Sequence, residues 1–202
     1  MKFKIVSLFV LCAILISCGT SRQGGKKQRK GTKAQVVLTP EQQRKYDYFF
    51  LEASRLKMKD DYSAAFDLLQ HCLTINPNAS SALYEISQYY MYLKQVPQGQ
   101  AALEKAVEND PDNYWYSQGL ASLYQQQNEM QKATNLLESM ATRFSDRMDP
   151  LYSLLDIYNR LEEYDNVITT LNRLEEKMGK NEQLSMEKFR IYLQKKDNQS
   201  AF

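Results

Sequence analysis

Glycine and proline are scarce in this 202-residue chain, with 7 and 5 respectively, and it has one histidine and one tryptophan. So little glycine and proline excludes a collagen-like or low-complexity polymer, and 43% hydrophobic residues are enough for an ordered, helix-rich core. His71 stands without other histidines or a cysteine cluster, which leaves no ligand spacing for zinc or haem. No Gly-rich phosphate loop, no G-x-S-x-G and no Cys/His pairing occurs, so nucleotide, hydrolase and thiol chemistry lack their residue patterns. Acid pairs such as Asp60-Asp61 and Glu162-Glu163 fall at helix-pair turns, where solvated charge is expected. The chain reads as a non-enzyme with no cofactor and no metal.

A membrane-spanning run is also missing. The most apolar stretch, Ile5 to Ile16, has twelve residues against the roughly 20 that a spanning helix needs, and it follows Lys2 and Lys4. This is the form of a secretory signal. The sequence "LISCGT" after it resembles the bacterial lipobox, which implies cleavage between Ser17 and Cys18 and lipidation of the Cys18 thiol, with palmitate among the acyl groups. Residues 1–17 are then a signal peptide, Cys12 leaves with it, and Cys72 is the only free thiol of the mature chain. One thiol forms no internal disulfide, and Cys72 lies in an apolar helical row as a small core residue.

Arg22, Lys26, Lys27, Arg29, Lys30 and Lys33 occupy residues 22–33 with no acid among them. With Lys2 and Lys4 removed, the net charge of +2 falls to zero, so six bases in this segment leave residues 34–202 at −6. A basic leash on an acidic body argues against nucleic-acid binding. Residues 18–40 form that leash, with a coil reach of about 25 Å. Its bases suit anionic headgroups, at roughly 1 kcal/mol each near such a surface.

From Tyr46 onward the chain divides into blocks of 34 without insertion: 46–79, 80–113, 114–147, 148–181 and a partial 182–202. Block position 11 reads Leu56, Tyr90, Tyr124, Tyr158, Tyr192; position 24 reads Leu69, Leu103, Leu137, Leu171; position 20 reads Ala65, Gly99, Ala133, Val167, Ala201. Positions 4, 7, 8 and 11 share one face of a first helix, and 17, 20, 24 and 27 one face of a second. Pro77 and Pro111 at position 32 stop the second helix, and nearby Asn, Asp and Ser are expected to cap the next. Gly179 and Asp149-Pro150 replace that joint later. These columns strongly resemble the tetratricopeptide (TPR) repeat. The resemblance implies an all-α, right-handed αα superhelix of about four and a half repeats over residues 41–202. Leu155 and Val167 enlarge the small positions of the fourth block and should splay its helix pair.

In a TPR array the first helices line a concave groove. The resemblance places Phe50, Tyr84, Gln88, Trp115, Gln118, Ser122, Tyr152 and Asp156 there. Aromatic and amide groups suit an extended peptide or a partner helix, and Tyr84, Trp115 and Tyr152 would line one continuous channel. The carboxylate clamp of TPR co-chaperones is excluded, since Phe50, Ser54, Glu85, Trp115 and Gly119 stand at its positions. The expectation is a non-catalytic scaffold or adaptor lipoprotein in a bacterial cell-envelope assembly, anchored to the outer membrane and facing the periplasm, with a protein or peptide partner. The alternatives are a ligand-capturing lipoprotein of outer-membrane nutrient uptake and a periplasmic adaptor for cell-wall enzymes. The apolar Phe189, Ile191, Tyr192 and Leu193 further lead us to expect more chain after Phe202.

Overall fold

The computed structural model describes residues 36–196. The signal peptide 1–17, Cys18, the leash up to residue 35 and the last six residues lie outside them. Among the described residues there are nine helices and no strand: α1 (Pro40–Lys57), α2 (Tyr62–Ile75), α3 (Ser80–Tyr92), α4 (Val96–Asn109), α5 (Tyr114–Gln126), α6 (Met130–Arg143), α7 (Asp149–Arg160), α8 (Tyr164–Met178) and α9 (Glu182–Gln194). Each packs against its neighbours in sequence. Odd-numbered helices are the first and even-numbered the second of each pair, in the order that the 34-residue columns require. The first helix starts at Pro40, the residue where the leash was expected to end. Thr39 caps it by accepting from the Gln42 N–H, and the Gln42 side chain returns to the Thr39 N–H.

The columns reach the core as expected. Leu69, Leu103, Leu137 and Leu171 are buried, as are Ala65, Gly99, Ala133 and Val167. Cys72 is wholly buried, and burial pushes its thiol up to about 11, which holds it as an inert thiol at neutral pH. Gly99 lies against the Ser87 carbonyl, where α3 and α4 pack closely. The splay expected of the fourth pair does not set it apart: α7 and α8 pack about as α5 and α6 do, with Val167 fully buried and Leu155 half-buried.

Two recurring contacts explain how the repeats are joined. Position 30 of the second, third and fourth repeats clasps the preceding joint. Asn109 donates to the Asn78 carbonyl at 3.1 Å, Arg143 to Asp112 at 2.6 Å, and Lys177 to the Ser145 carbonyl. Further in, the column tyrosines reach back one repeat: Tyr124 donates to Glu104 at 2.9 Å and Tyr158 to Glu138 at 3.3 Å. Burial, then the facing carboxylate, raises both phenols above their ordinary range, so they remain donors.

Capping departs from expectation at one joint. Asn113 caps α5 and Asn181 caps α9, but Ala79 precedes α3 and offers no side-chain bond. Asn76 accepts from the Asn78 N–H instead, so the asparagine of the first joint shapes the turn and not the helix start.

The scarcity of glycine has a local cost. Position 15 of all five repeats is left-handed: Asp60, Lys94, Asn128, Glu162 and Lys196 have φ of 62, 58, 60, 56 and 58°. In the first four repeats the N–H at position 16 bonds the carbonyl at position 11, as in Gln95 to Tyr90 at 2.8 Å and Glu163 to Tyr158 at 2.9 Å. The N–H at position 15 bonds the carbonyl at position 12, as in Lys94 to Met91 at 3.0 Å. This is the Schellman end, whose left-handed residue is usually glycine because Cβ there crowds the carbonyl. Lys94→Gly and Glu162→Gly should therefore each raise stability by about 0.5–1 kcal/mol. Asn128→Gly should give less, since asparagine tolerates this conformation. Urea midpoints of the three variants check this, and an unchanged or lower midpoint for Lys94→Gly would contradict it.

Candidate peptide-binding groove

The inner surface is built by α1, α3, α5 and α7. Across the first three of these helices Phe50, Ser81, Tyr84, Glu85, Asn113, Trp115 and Tyr116 line one depression of ≈ 380 Å³. The local packing that forms it is aromatic. Phe50 stacks on Tyr46 with ring centres 5.9 Å apart, and the Tyr46 hydroxyl meets the Ser81 hydroxyl at 3.0 Å, tying α1 to α3. Tyr84 lies on Tyr116 at 4.8 Å and over Gly119, which leaves room for its ring between α3 and α5.

Trp115 is 62% exposed, yet its ring is held. Tyr114 meets it edge-on at 5.4 Å, and the Arg147 guanidinium lies 3.8 Å from the Tyr114 ring centre and 5.6 Å from that of Trp115. Arg147 is fixed in turn by Asp149 at 3.1 Å. Such a ring loses little freedom when it is covered, a property of interface anchors. On the other side the Lys57–Glu85 ion pair, 2.7 Å, links α1 to α3 and keeps Lys57 protonated.

The structure brings together three of the sequence-derived groove residues, Phe50, Tyr84 and Trp115, and separates the others. Gln118 and Ser122 are exposed on α5. Gln88 bonds Ser87 at 3.2 Å and lines a different depression, toward the C-terminal ends of α1 and α3. Tyr152, 48% exposed, turns its hydroxyl to the Met178 sulfur at 3.3 Å, and Asp156 pairs loosely with Arg160 at 3.9 Å. Of the three rings expected along one channel, Tyr84 and Trp115 are brought together in one depression. Tyr152 meets Met178 at the end of α8. Tyr84 also packs against both halves of the hydrophobic core, so it is part of a helix seam.

Sequence reading missed Glu85, Asn113, Tyr116 and Arg147. Asn113 and Ser81 belong to the joint and its following turn, so the turn signal was there. Nothing in the period marks Arg147, whose partners are found only in space. Among the described residues, Glu138, Ser139, Thr142 and Arg143 of α6 line a further hollow of ≈ 550 Å³. No group of metal-ligating side chains is present among the described residues, and no described helix is long and apolar enough to cross a membrane.

The fold is a TPR solenoid, the architecture of protein-interaction scaffolds. The family model described as Tetratricopeptide repeat matches residues 80–113, the second block. No curated protein matches the chain in sequence. Among solved structures, the MamA protein is similar with a TM-score of 0.60 at 18% identity, over 79% of this chain and 87% of MamA. A tetratricopeptide repeat protein from Parabacteroides merdae aligns with a TM-score of 0.61 at 15% identity, over 78% of this chain and 63% of its own. YrrB, described as a TPR protein with an unusual peptide-binding site, aligns at 0.57 and 13% identity, over 76% and 79%. At these identities the likeness is one of fold.

Proposed function

We propose that this protein is a non-catalytic adaptor lipoprotein of a bacterial cell-envelope assembly, holding a segment of a protein partner along its concave face. The observation that carries the reading is the depression in which Phe50, Tyr84 and Trp115, one from each of three successive repeats, converge. A peptide-binding site described for YrrB, on a similar fold, supports the same use. Exposed inner residues next to it on α5, Gln118 and Ser122, are uncharged, and Glu85 is already paired with Lys57. Such a surface recognises backbone amides and apolar side chains and not a charge pattern. Partner capture by the full lipidated chain from detergent-solubilised membranes should therefore stay within about twofold between 0.05 and 0.5 M salt, a range over which charge clamps are screened. Loss of most of the captured partner at 0.5 M would contradict this.

Cys18 is the anchor in this reading, with the outer membrane, periplasmic side, as the site of attachment. Its basis is the lipobox resemblance of "LISCGT" and the short h-region before it. Cys18→Ser should abolish palmitate incorporation and shift the protein to uncleaved precursor or soluble fractions. Labelled palmitate and membrane fractionation check it, and wild-type levels in the outer membrane would sink the anchor.

A further inference from the structure

The second depression on the inner surface, ≈ 430 Å³, has a different chemistry. It is lined by Lys57 at the end of α1, Tyr62 at the start of α2, and Gln88, Tyr89 and Tyr92 on the last turns of α3. Tyr84 and Tyr92 are eight residues apart on one helix, so this site lies about 12 Å along the axis from the Phe50–Trp115 depression. The Lys57–Glu85 pair stands between the two.

Its walls are rings. Tyr62 meets Tyr89 edge-on at 6.4 Å, Phe66 supports Tyr89 from behind at 5.9 Å, and Tyr92 is 81% exposed at the rim. Polar groups are nearly all engaged already. The Tyr62 hydroxyl donates to Asp60 at 2.7 Å, Gln88 donates to Ser87, and Lys57 lies on Glu85. The exception among the buried groups is Tyr89. Its side chain is more than nine-tenths buried, and its hydroxyl is closed from solvent with no hydrogen-bond partner. An unsatisfied buried hydroxyl is costly, and native structures rarely keep one without a reason.

We infer that this depression is a second anchor pocket, built for a tyrosine side chain of the same protein partner, an inference that rests on the groove reading above. An occupant must be flat and apolar to fill a space between tyrosine rings. It must be neutral, because Lys57, the one ionised lining group among the described residues, is offset by Glu85. It must also carry one polar atom at its tip, where the Tyr89 hydroxyl lies unpaired. A phenol meets all three conditions. Tyr62 and Tyr92 are exposed enough to turn aside as the incoming hydroxyl reaches Tyr89, and two unused Lys57 N–H groups at the mouth can take a peptide carbonyl.

The test uses N-acetyl-L-tyrosine amide and N-acetyl-L-phenylalanine amide as probes of the full chain in detergent, followed by NMR. The expected result is saturable shifts at Gln88 and Tyr92, with the tyrosine probe about five- to tenfold tighter, as one recovered buried hydrogen bond implies. Tyr89→Phe should remove that preference while leaving the phenylalanine probe unchanged, and Tyr92→Ala should weaken both. Equal affinities, shifts confined to the Phe50–Trp115 depression, or tighter binding of N-acetylglucosamine than of either amide would overturn the inference. None of these outcomes touches the groove reading, which fails separately if Trp115→Ala leaves partner capture intact.

Discussion

Trp115→Ala should weaken partner capture by well over tenfold while moving the melting temperature by no more than about 2 °C. Buried aromatic anchors commonly contribute about 2 kcal/mol or more to an interface, and a 1.4 kcal/mol loss is already tenfold. In the free protein the Trp115 ring is 62% exposed and meets the edge of Tyr114 and, at 5.6 Å, the Arg147 guanidinium. Tyr84→Ala gives the contrasting case. That ring packs on Tyr116 and Gly119 and bridges both halves of the core, so its removal should lower stability by about 2 kcal/mol as well as weakening capture. Arg147→Met should fall between them, with stability nearly kept and capture reduced a few-fold, because it frees the Trp115 ring without removing it. Urea melts and quantitative pull-downs on the three variants separate anchor from seam. If Trp115→Ala melts as early as Tyr84→Ala, or captures as well as wild type, Trp115 is not the anchor.

Gly99→Val should cost about 3 kcal/mol or more, the largest loss expected from any single added side chain. A Cβ at Gly99 would lie 2.6 Å from the Met91 methyl and 3.1 Å from the Ser87 carbonyl oxygen. Alanine's Cβ meets these and the Met91 sulfur at 3.1 Å. The Met91 end is flexible and can swing away, and alanine recovers about 1 kcal/mol of helix propensity over glycine. Gly99→Ala should therefore change stability by less than about 1 kcal/mol. Valine's two further methyls press on the α3 backbone, which cannot yield without parting α3 from α4, and overpacking of this kind costs about 1–3 kcal/mol before the lost contacts are counted. A valine variant as stable as the alanine one would show that close approach of α3 and α4 is not what this glycine serves. The consequence reaches the groove, because α3 carries Tyr84, Glu85 and Gln88 and its tilt sets both inner depressions.

The sequence by itself determined the repeat. A 34-residue period without insertion, apolar columns at helical spacing and proline at the joints follow from local rules, since each repeat must bury the same face against the next. Nine described helices fall where those columns require, and Leu69, Leu103, Leu137 and Leu171 are all buried. The inner surface was legible only as a set of positions. Which rings converge depends on helix tilt, and tilt depends on side chains of different repeats meeting in space. Gly99 lets α4 approach α3, and the Tyr152 hydroxyl meets the Met178 sulfur on α8. The left-handed turn at Asp60, Lys94, Asn128, Glu162 and Lys196 was hidden too, because no glycine marks it and the pairing of helices imposes it. Arg147 on Tyr114 and Trp115, and the Tyr124–Glu104 and Tyr158–Glu138 bonds, join residues from different elements, and the unpaired Tyr89 hydroxyl is likewise a product of packing. A column shows what a residue faces on average; only the packed structure decides which neighbour it meets.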